Sequence, residues 1–339
     1  MTVDPTTLDR AMAEILRQYK GGVEMHSGDK EDTVSRLSTG SYELDHATGG
    51  GIPMGRCSHF WGSYSAGKSL TSWMVAKSAQ AKKLEVAYYN IEKQYDKEFV
   101  KSLGVDPKKL HVIEATAIEE VGTVLEALLG SVHVHIIDSL AGAVSVDELS
   151  HRLEEWQIGL AARAWGKVLR RTNDRMDRQE NAVIMVNHAR DNFRGGEGAP
   201  GGRFIEHQSS CTIHFKRGGW LFYDGHGVLS PDNKGGTTPS LSGDMEPDGY
   251  EIVARVEKSR VSRPNRTARM RYDYKDRNFD LMHELSKAAK HYGIVNETSS
   301  GRFELDDGTK MHGIKAMRNE IQQRPELQKL IADTMMAQA

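Results

Sequence analysis

The segment Gly62–Ser69, which reads GSYSAGKS, carries the strongest chemical pattern in the chain. Its spacing is G-x-x-x-x-G-K-S, and it lies between a run typical of a strand, CSHFW, and a run typical of a helix. That context is the one in which this spacing forms a phosphate-binding loop. Glycines let backbone N–H groups approach phosphate oxygens, and the helix N-terminus adds positive potential. The pattern therefore predicts a nucleoside triphosphate and Mg²⁺ as ligands.

Two residues of this loop have separate expected roles. Lys68 would place its charge at the β- and γ-phosphates, and the Ser69 hydroxyl would ligate Mg²⁺. A glycine-rich turn that matches the spacing by chance is the alternative, and the flanking elements argue against it. The expected nucleotide-binding segment comprises Gly62, Ser63, Tyr64, Ser65, Ala66, Gly67, Lys68, Ser69 and Leu70.

Two carboxylates are candidates for the rest of a hydrolytic site. Asp138 ends the apolar run VHVHIID and would leave the sheet at its carboxyl end, where ligands of α/β proteins bind. We expect it to hold Mg²⁺ through water, the alternative being a cap of the next turn. Glu92 follows another predicted strand, where a carboxylate can orient or deprotonate water. From spacing alone, an exposed loop glutamate is the simpler interpretation of Glu92.

The elements that position these residues alternate between strands and helices. Strands are predicted at 57–61, 85–90, 111–114, 132–138 and 182–187, with helices from the loop to 80 and at 98–103, 118–129 and 151–176. This alternation predicts an α/β fold with a mostly parallel, twisted sheet flanked by helices. Further strands are predicted at 211–216, 219–224 and 250–258, followed by an α-rich region from 281.

Composition limits the possible classes of protein. The chain has 339 residues and a net charge of -2, so a nucleic acid would have to be bound by local basic patches. The two cysteines, Cys57 and Cys211, lack the spacing of a metal site or disulfide framework, which favours a reducing compartment such as the cytoplasm. No stretch is long and apolar enough to span a membrane, so we expect no membrane association.

The amino-terminal region predicts a short amphipathic helix from Pro5 to Tyr19. Leu8, Met12, Ile15 and Leu16 fall at helical spacing and form one apolar stripe. A helix of this length does not bury its stripe alone, so it must dock on its own chain or on a neighbouring one.

These segments together resemble the RecA-type recombinases. The matching segments, in the order of the family, are LSTGSYELDHATGGGIPMGR (37–56), the phosphate loop, the Glu92 segment, IIDS, GLAAR (159–163), VNH (186–188), GG (201–202), KSRVSRP (258–264), GIVNETSSGRFELDDGTK and RPELQKL. They cover nearly the whole chain. The VNH variant is more similar to the UvsX-like phage branch than to bacterial RecA.

The resemblance implies an ATP-dependent recombinase that forms a helical filament on single-stranded DNA, pairs it with homologous duplex DNA and hydrolyses ATP when bound to DNA. Its cofactors would be ATP and Mg²⁺, and it would work in the cytoplasm of a bacterial or phage-infected cell, with single-strand-binding and loader proteins as further candidate partners. The implied domains are an oligomerisation segment (1–35), a RecA-like ATPase core (36–275) and a small α+β domain (276–339).

The resemblance also assigns roles to individual residues. Glu92 matches the water-activating glutamate, and Asp96 and Phe99 fall where the family contacts and stacks on adenine. His188 stands where bacterial RecA has a glutamine that senses the γ-phosphate. The basic residues that reach the ATP of the adjacent subunit correspond to Lys258 and Arg260, so the catalytic set is Lys68, Glu92, His188, Lys258 and Arg260. Without the resemblance, Phe99 would be a core aromatic residue, and the two cations would be a solvated strand edge.

Two segments are expected to bind DNA. The first, about residues 147–159, is acidic, so its contacts would come from backbone amides and from Arg163 and Arg170 on the following helix. The second, residues 188–203, is basic and glycine-rich, and its candidates are Arg190, Phe193, Arg194, Gly201, Gly202 and Arg203. Phe193 matches the family position that inserts an apolar side chain between bases, the alternative being a hydrophobic anchor of the loop.

Two other functions compete with this interpretation. One is a hexameric RecA-fold motor of the helicase type, against which the amino-terminal helix and the small carboxyl-terminal domain argue. The other is a non-enzymatic protein that coats single strands, against which the presence of Lys68, Glu92 and Asp138 argues.

Overall fold

The structure is a computed structural model that describes residues 5–18, 34–150, 159–191, 197–199, 202–224, 229–231 and 246–339. The chain divides into two compact units, Met1–Val34 and Ser35–Ala339. The helices are α1 (Pro5–Gln18), α2 (Tyr42–Thr48), α3 (Lys68–Ala81), α4 (Lys97–Ser102), α5 (Ile118–Leu128), α6 (Val146–Ser150), α7 (Leu160–Arg178), α8 (Gly202–Gln208), α9 (Leu281–His291), α10 (Gly313–Gln323) and α11 (Pro325–Ala337). The strands are β1 (Arg36–Leu37), β2 (Ile52–Pro53), β3 (Cys57–Gly62), β4 (Val86–Asn90), β5 (Leu110–Ile113), β6 (Val134–Asp138), β7 (Ala182–His188), β8 (Arg190–Asp191), β9 (Glu197–Gly198), β10 (Cys211–Tyr223), β11 (Leu229–Pro231), β12 (Gly249–Ser259), β13 (Thr267–Asp273), β14 (Asn278–Phe279), β15 (Val295–Ser299), β16 (Arg302–Leu305) and β17 (Lys310–His312).

In the part of the chain that the structure describes, a ten-stranded sheet forms the centre of the second unit. Its order is β14-β13-β12-β10-β3-β7-β6-β4-β5, and β11 pairs with β10 outside this path. The six strands from β10 to β5 run parallel to one another, whereas β11 and β12 pair antiparallel with β10, and β13 and β14 continue the antiparallel pairing. The predicted α/β fold with a mostly parallel sheet is therefore confirmed.

Helices cover both faces of this sheet. Since alternate residues of a strand point to opposite sides, each central strand contributes to two hydrophobic clusters. On β4, Tyr88 packs in one hydrophobic cluster with Trp73 of α3. The next residue, Tyr89, packs in the opposite cluster with Leu125 of α5 and Leu169 of α7. The central strands are thus buried on both faces, and their carboxyl ends share one edge.

Two element boundaries differ from the sequence prediction. The separate strands predicted at 211–216 and 219–224 are wrong, since β10 is continuous and a register shift against β12 between Arg217 and Trp220 takes up the two intervening glycines. The helix predicted from 151 begins at Leu160, because Gly159 has a left-handed φ of 81°. Residues 151–158 lie outside the described residues. In the first unit, α1 confirms the predicted helix to within one residue.

The carboxyl-terminal region surrounds its own hydrophobic cluster, which includes Leu285 of α9, Phe303 of β16 and Ile331 of α11. A buried carboxylate, Glu284, joins this region to the N-terminus of α2. It accepts hydrogen bonds from the Ser41 hydroxyl at 2.9 Å and from the Glu43 backbone N–H at 3.1 Å. Burial raises the pKa of Glu284 to about 8, although these hydrogen bonds act in the opposite direction.

Candidate active site

The phosphate loop joins β3 to α3, and two of its glycines are required by close packing. A Cβ at Gly62 would lie 2.0 Å from the carbonyl oxygen of Phe215 on the neighbouring strand β10. Gly67 has a φ of 92°, and a Cβ there would lie 2.4 Å from Cδ1 of Ile252. The loop therefore folds tightly against the sheet in a conformation that L-residues rarely adopt.

Lys68 opens α3 with a side chain that folds back into the loop. The residue is 4% exposed, and its Nζ donates to the carbonyl oxygens of Gly62 at 3.0 Å and Ser63 at 2.7 Å. Burial lowers the pKa of this amine, whereas the nearby carboxylates of Asp138 and Glu92 oppose the shift. A buried positive charge thus lies inside the turn that the loop backbone makes.

Asp138 ends β6 next to the Ser69 hydroxyl, which donates a hydrogen bond to it, as does the Tyr88 hydroxyl at 3.3 Å. Burial raises the pKa of Asp138, and the hydrogen bond from Ser69 opposes this rise. Among the described residues, no group of three or more His, Cys, Asp and Glu side chains could hold a metal ion. The Ser69 hydroxyl beside the Asp138 carboxylate fits Mg²⁺, which commonly binds through one or two protein oxygens together with water and substrate phosphates.

Glu92 and His188 are in direct contact. Nε2 of His188 lies 2.9 Å from Oε1 of Glu92, and the same oxygen accepts a hydrogen bond from the Ser139 hydroxyl. The hydrogen bond from His188 lowers the pKa of Glu92, and burial opposes that shift. Sequence reasoning placed both residues in the site but did not predict their contact. The contact links the loop after β4 to the end of β7.

A cleft of about 580 Å³ along the loop brings together most of the predicted nucleotide-binding residues. They are Tyr64, Ser65, Ala66, Gly67, Lys68, Ser69, Leu70, Glu92, Phe99, Asp138 and His188. Gly62 and Ser63 lie at the base of the loop. Asp96 does not line the cleft, because its carboxylate caps α4 and accepts from the backbone N–H of Phe99 at 3.0 Å.

The cleft also has an aromatic wall that sequence reasoning missed. The unpredicted lining residues are Trp73, Gln94, Arg217, Tyr250, Tyr272, Tyr274 and Arg277. The rings of Tyr250, Tyr272 and Tyr274 lie 5.7 to 5.9 Å from one another, as neighbouring aromatic rings pack in cores. Tyr272 lies on β13 and Tyr274 in the turn after it. This strand was not predicted, although the alternation in RMRYDY is a signal for it.

Lys258 and Arg260 are not brought to this cleft. Lys258 donates to the carbonyl oxygens of Glu206 and, at 3.2 Å, His207, and Arg260 donates to His207 at 2.6 Å. These carbonyls end α8, where cations are favoured by the helix dipole. Lys258 pairs with Thr212 of β10, which in turn pairs with His59 of β3. His59 precedes Gly62, where the loop begins, by three residues, which is roughly 10 Å along the strand.

The described DNA-binding candidates lie around the bases of the two predicted segments. Arg190 is exposed on β8 and lines a cavity of about 310 Å³ together with residues from the start of α7. Arg163 is exposed in the first turn of α7, and the Arg170 guanidinium lies 5.0 Å from the ring centroid of Phe204. Gly202 begins α8. Phe193, Arg194, Gly201 and the side chain of Arg203 lie outside the described residues.

A strand–loop–helix with a buried lysine, beside an acid at the end of a parallel strand, defines a P-loop nucleoside triphosphatase. The family model described as the RecA N-terminal domain matches residues 6–228. Among the relatives, Protein RecA of Aquifex aeolicus (strain VF5) is 28% identical over 328 residues, covering 94% of this chain and 89% of the relative. Protein RecA of Thermus aquaticus is 26% identical over 329 residues, covering 95% and 91%.

A third relative, Protein RecA of Streptomyces venezuelae, is 30% identical over 218 residues, which are 62% of this chain and 58% of the relative. The chain belongs to the RecA family. It is accordingly a recombinase that acts in DNA strand exchange and a DNA-dependent ATPase. None of the helices in the described ranges is long and apolar enough to cross a membrane.

Proposed function

We propose that this recombinase binds ATP with Mg²⁺ in the cleft beside Gly62–Leu70 and that the bound nucleotide controls its grip on single-stranded DNA. The observation that carries the proposal is the convergence of Lys68, Asp138, Glu92 and His188 on one cleft. These residues lie at or beyond the carboxyl ends of β3, β6, β4 and β7, which are neighbours in the sheet. A site built on adjacent strands holds its groups in a fixed arrangement, which phosphoryl transfer requires.

Each group has a role that its surroundings support. Backbone N–H groups of the loop and Lys68 would bind the phosphates, and Ser69 and Asp138 would hold Mg²⁺, which neutralises charge on the phosphate oxygens when bound. Glu92 would orient and deprotonate the attacking water, since its pKa is lowered and it stays ionised. His188 holds Glu92 and would sense the γ-phosphate through the same imidazole.

For the base, we propose a position between Phe99 and the aromatic wall formed by Tyr250, Tyr272 and Tyr274. Phe99 and Tyr274 are 38% and 42% exposed, which leaves aromatic surface available for stacking. Asp96 would contact the base edge with the oxygen that does not cap α4. This arrangement places the base at one end of the cleft and the hydrolytic groups at the other.

We propose that Lys258 and Arg260 act on the nucleotide of an adjacent subunit in a filament. Their distance from the loop of their own chain supports this assignment, because neither lines its own cleft. Residues 1–35 would provide the oligomerisation segment, the ATPase core would span 36–275, and 276–339 would form the small carboxyl-terminal domain. From the resemblance we further propose a phage-type origin, a cytoplasmic location, and single-strand-binding and loader proteins as partners.

DNA would bind at the two segments that flank α7 and β7, through Arg163 and Arg170 on α7 and, in the second segment, Arg190, Phe193, Arg194, Gly201, Gly202 and Arg203. Arg190 follows His188 by two residues, so a shift of His188 on γ-phosphate binding would move the start of the second segment. This short connection supports coupling between nucleotide and DNA.

The proposal is tested with Lys68→Ala and, as a matched control, Lys77→Ala on the same helix α3. Lys68→Ala should abolish ATP-dependent filaments, seen by electron microscopy, and strand exchange of homologous DNA. The control should retain both. Intact strand exchange in Lys68→Ala would reject the proposed site, and rings in place of filaments would favour the motor alternative.

The DNA site is tested with Arg190→Ala against Arg56→Ala, which removes the same charge at the opposite edge of the sheet, before β3. Removing one phosphate contact should weaken single-strand binding and reduce the slope of log affinity against log salt by about 1. Arg56→Ala should leave the slope unchanged. Equal slopes in both variants would contradict a phosphate contact by Arg190.

A further inference from the structure

Arg217 lies at the rim of the nucleotide cleft, and its position follows from the register of β10. Phe215 pairs with Gly62, so Arg217 lies two residues beyond the point where β3 enters the loop. Alternate residues of a strand share a face. Phe215 packs against Phe60 on the face that α3 covers, so Arg217 is directed to the side on which α3 carries the loop. It lines the same cleft as Lys68 and Ser69.

The surroundings of Arg217 hold its charge in place without neutralising it. Its guanidinium lies 4.4 Å from the ring centroid of Trp220. It also lines a second cavity together with Ser63, Tyr64 and Ser65 of the phosphate loop. Within the described residues, no carboxylate forms an ion pair with Arg217. A permanent cation is therefore supported by an aromatic ring and left available to an anion.

We infer that Arg217 contacts the phosphate chain of the nucleotide bound by its own subunit, as a second substrate-binding cation beside Lys68. The inference rests on the proposed nucleotide site. A guanidinium can donate two parallel hydrogen bonds to phosphate oxygens, a geometry that an ammonium group lacks. Lys258 and Arg260 require a neighbouring subunit in the proposed filament, whereas Arg217 requires none. Its contribution should therefore be present in the absence of DNA and should not depend on protein concentration.

The test measures binding of fluorescent N-methylanthraniloyl derivatives of ATP, ADP and AMP, with Mg²⁺ and without DNA. Arg217→Ala should weaken ATP binding by roughly ten- to a hundredfold, as expected for a lost charge-assisted hydrogen bond. The loss should be smaller for ADP and within about twofold for AMP, and Arg217→Lys should fall between Arg217→Ala and the wild type. Arg255→Ala is the matched control, since Arg255 is an exposed arginine on the neighbouring strand β12 that does not line the cleft.

Trp220→Leu separates charge from packing, because it removes the stacking ring and keeps the guanidinium. We expect it to change ATP affinity by less than about threefold, and thermal unfolding of every variant verifies that it is folded. Equal loss in Trp220→Leu and Arg217→Ala would overturn the inference, as would equal loss of AMP and ATP binding or an unchanged Arg217→Ala.

The result also distinguishes this inference from the proposed function. If the wild type and Lys68→Ala bind nucleotide equally poorly, the nucleotide site itself is misplaced. If the wild type binds ATP, Lys68→Ala does not, and Arg217→Ala binds as the wild type does, only the role of Arg217 is rejected. Loss confined to Arg217→Ala and Lys68→Ala, and independent of protein concentration in the absence of DNA, would support a contact within one subunit.

Discussion

In the proposed mechanism, the contact between His188 and Glu92 sets the pH below which hydrolysis fails. Nε2 of His188 lies 2.9 Å from the Glu92 carboxylate and is the main cause of its lowered pKa. Replacing His188 by alanine removes this hydrogen bond and leaves the hydroxyl of Ser139 as a remaining donor. In that variant fewer hydrogen bonds oppose the effect of burial, so the pKa of Glu92 should rise.

The size of the effect follows from the exposure of the pair. A hydrogen bond to a charged group is worth about 1.5–3 kcal/mol when well shielded from water. The two side chains are 31% and 22% exposed, so the lower end applies, and about 1.4 kcal/mol corresponds to one pKa unit. In its proposed role Glu92 accepts a proton from water and must be ionised, so its lowered pKa would maintain activity at acidic pH. In the pH–activity profile of His188→Ala, the acid limb should therefore move to higher pH by about one unit.

The assay is kcat for ATP hydrolysis on single-stranded DNA across acidic and neutral pH, at saturating ATP and constant ionic strength. His188→Gln keeps an N–H donor and should shift the limb less than alanine does. Glu92→Gln should abolish turnover at every pH, which verifies that the limb reports Glu92. An acid limb in His188→Ala that coincides with that of the wild type, or lies below it, would refute the coupling of these two residues.

Three further predictions test packing, the filament contact and the buried acid. Gly62→Ala should lower the free energy of unfolding by about 3 kcal/mol in a denaturant titration, because its Cβ would lie 2.0 Å from the Phe215 carbonyl oxygen. Lys258→Ala should leave DNA-free nucleotide binding unchanged and lower the DNA-stimulated kcat by about a thousandfold. Since the folded pKa of Glu284 is raised from 4.5 to about 8, wild-type stability should fall as pH rises through this range, by up to about 1.4 kcal/mol per pH unit. Thermal unfolding of Glu284→Gln should show a flatter pH dependence.

The phosphate loop and the central strands were predictable because their signals are local. The spacing of Gly62–Ser69 and the apolar runs before it are contained in one short segment, and the strand–helix alternation repeats along the chain. By contrast, the contact of Glu92 with His188 depends on the order β7-β6-β4, in which strands distant in sequence are neighbours. Sequence periodicity contains no information on that order.

The aromatic wall and Arg217 were missed for a related reason. Tyr250 pairs with Tyr272 only through the register of β12 and β13, which the sequence does not specify. The Gly218-Gly219 pair resembles a turn, yet β10 continues through it because the strand can bulge against β12. The tertiary pairing of the strand thus overrode a local turn signal, and Arg217 gained a position at the cleft.

The second DNA segment, residues 188–203, is held at its two ends by groups assigned to two different nucleotides. It begins at His188, which contacts Glu92 in the cleft of the same subunit. It ends in α8, whose last carbonyls accept hydrogen bonds from Lys258 and Arg260, the cations proposed for the neighbouring nucleotide. Because the proposed roles share one imidazole and two cations between the nucleotides and this segment, a γ-phosphate that recruits them would release contacts at an end of the segment. Replacing His188 at one end, or Lys258 and Arg260 at the other, should therefore uncouple hydrolysis from DNA release while leaving the phosphate loop intact.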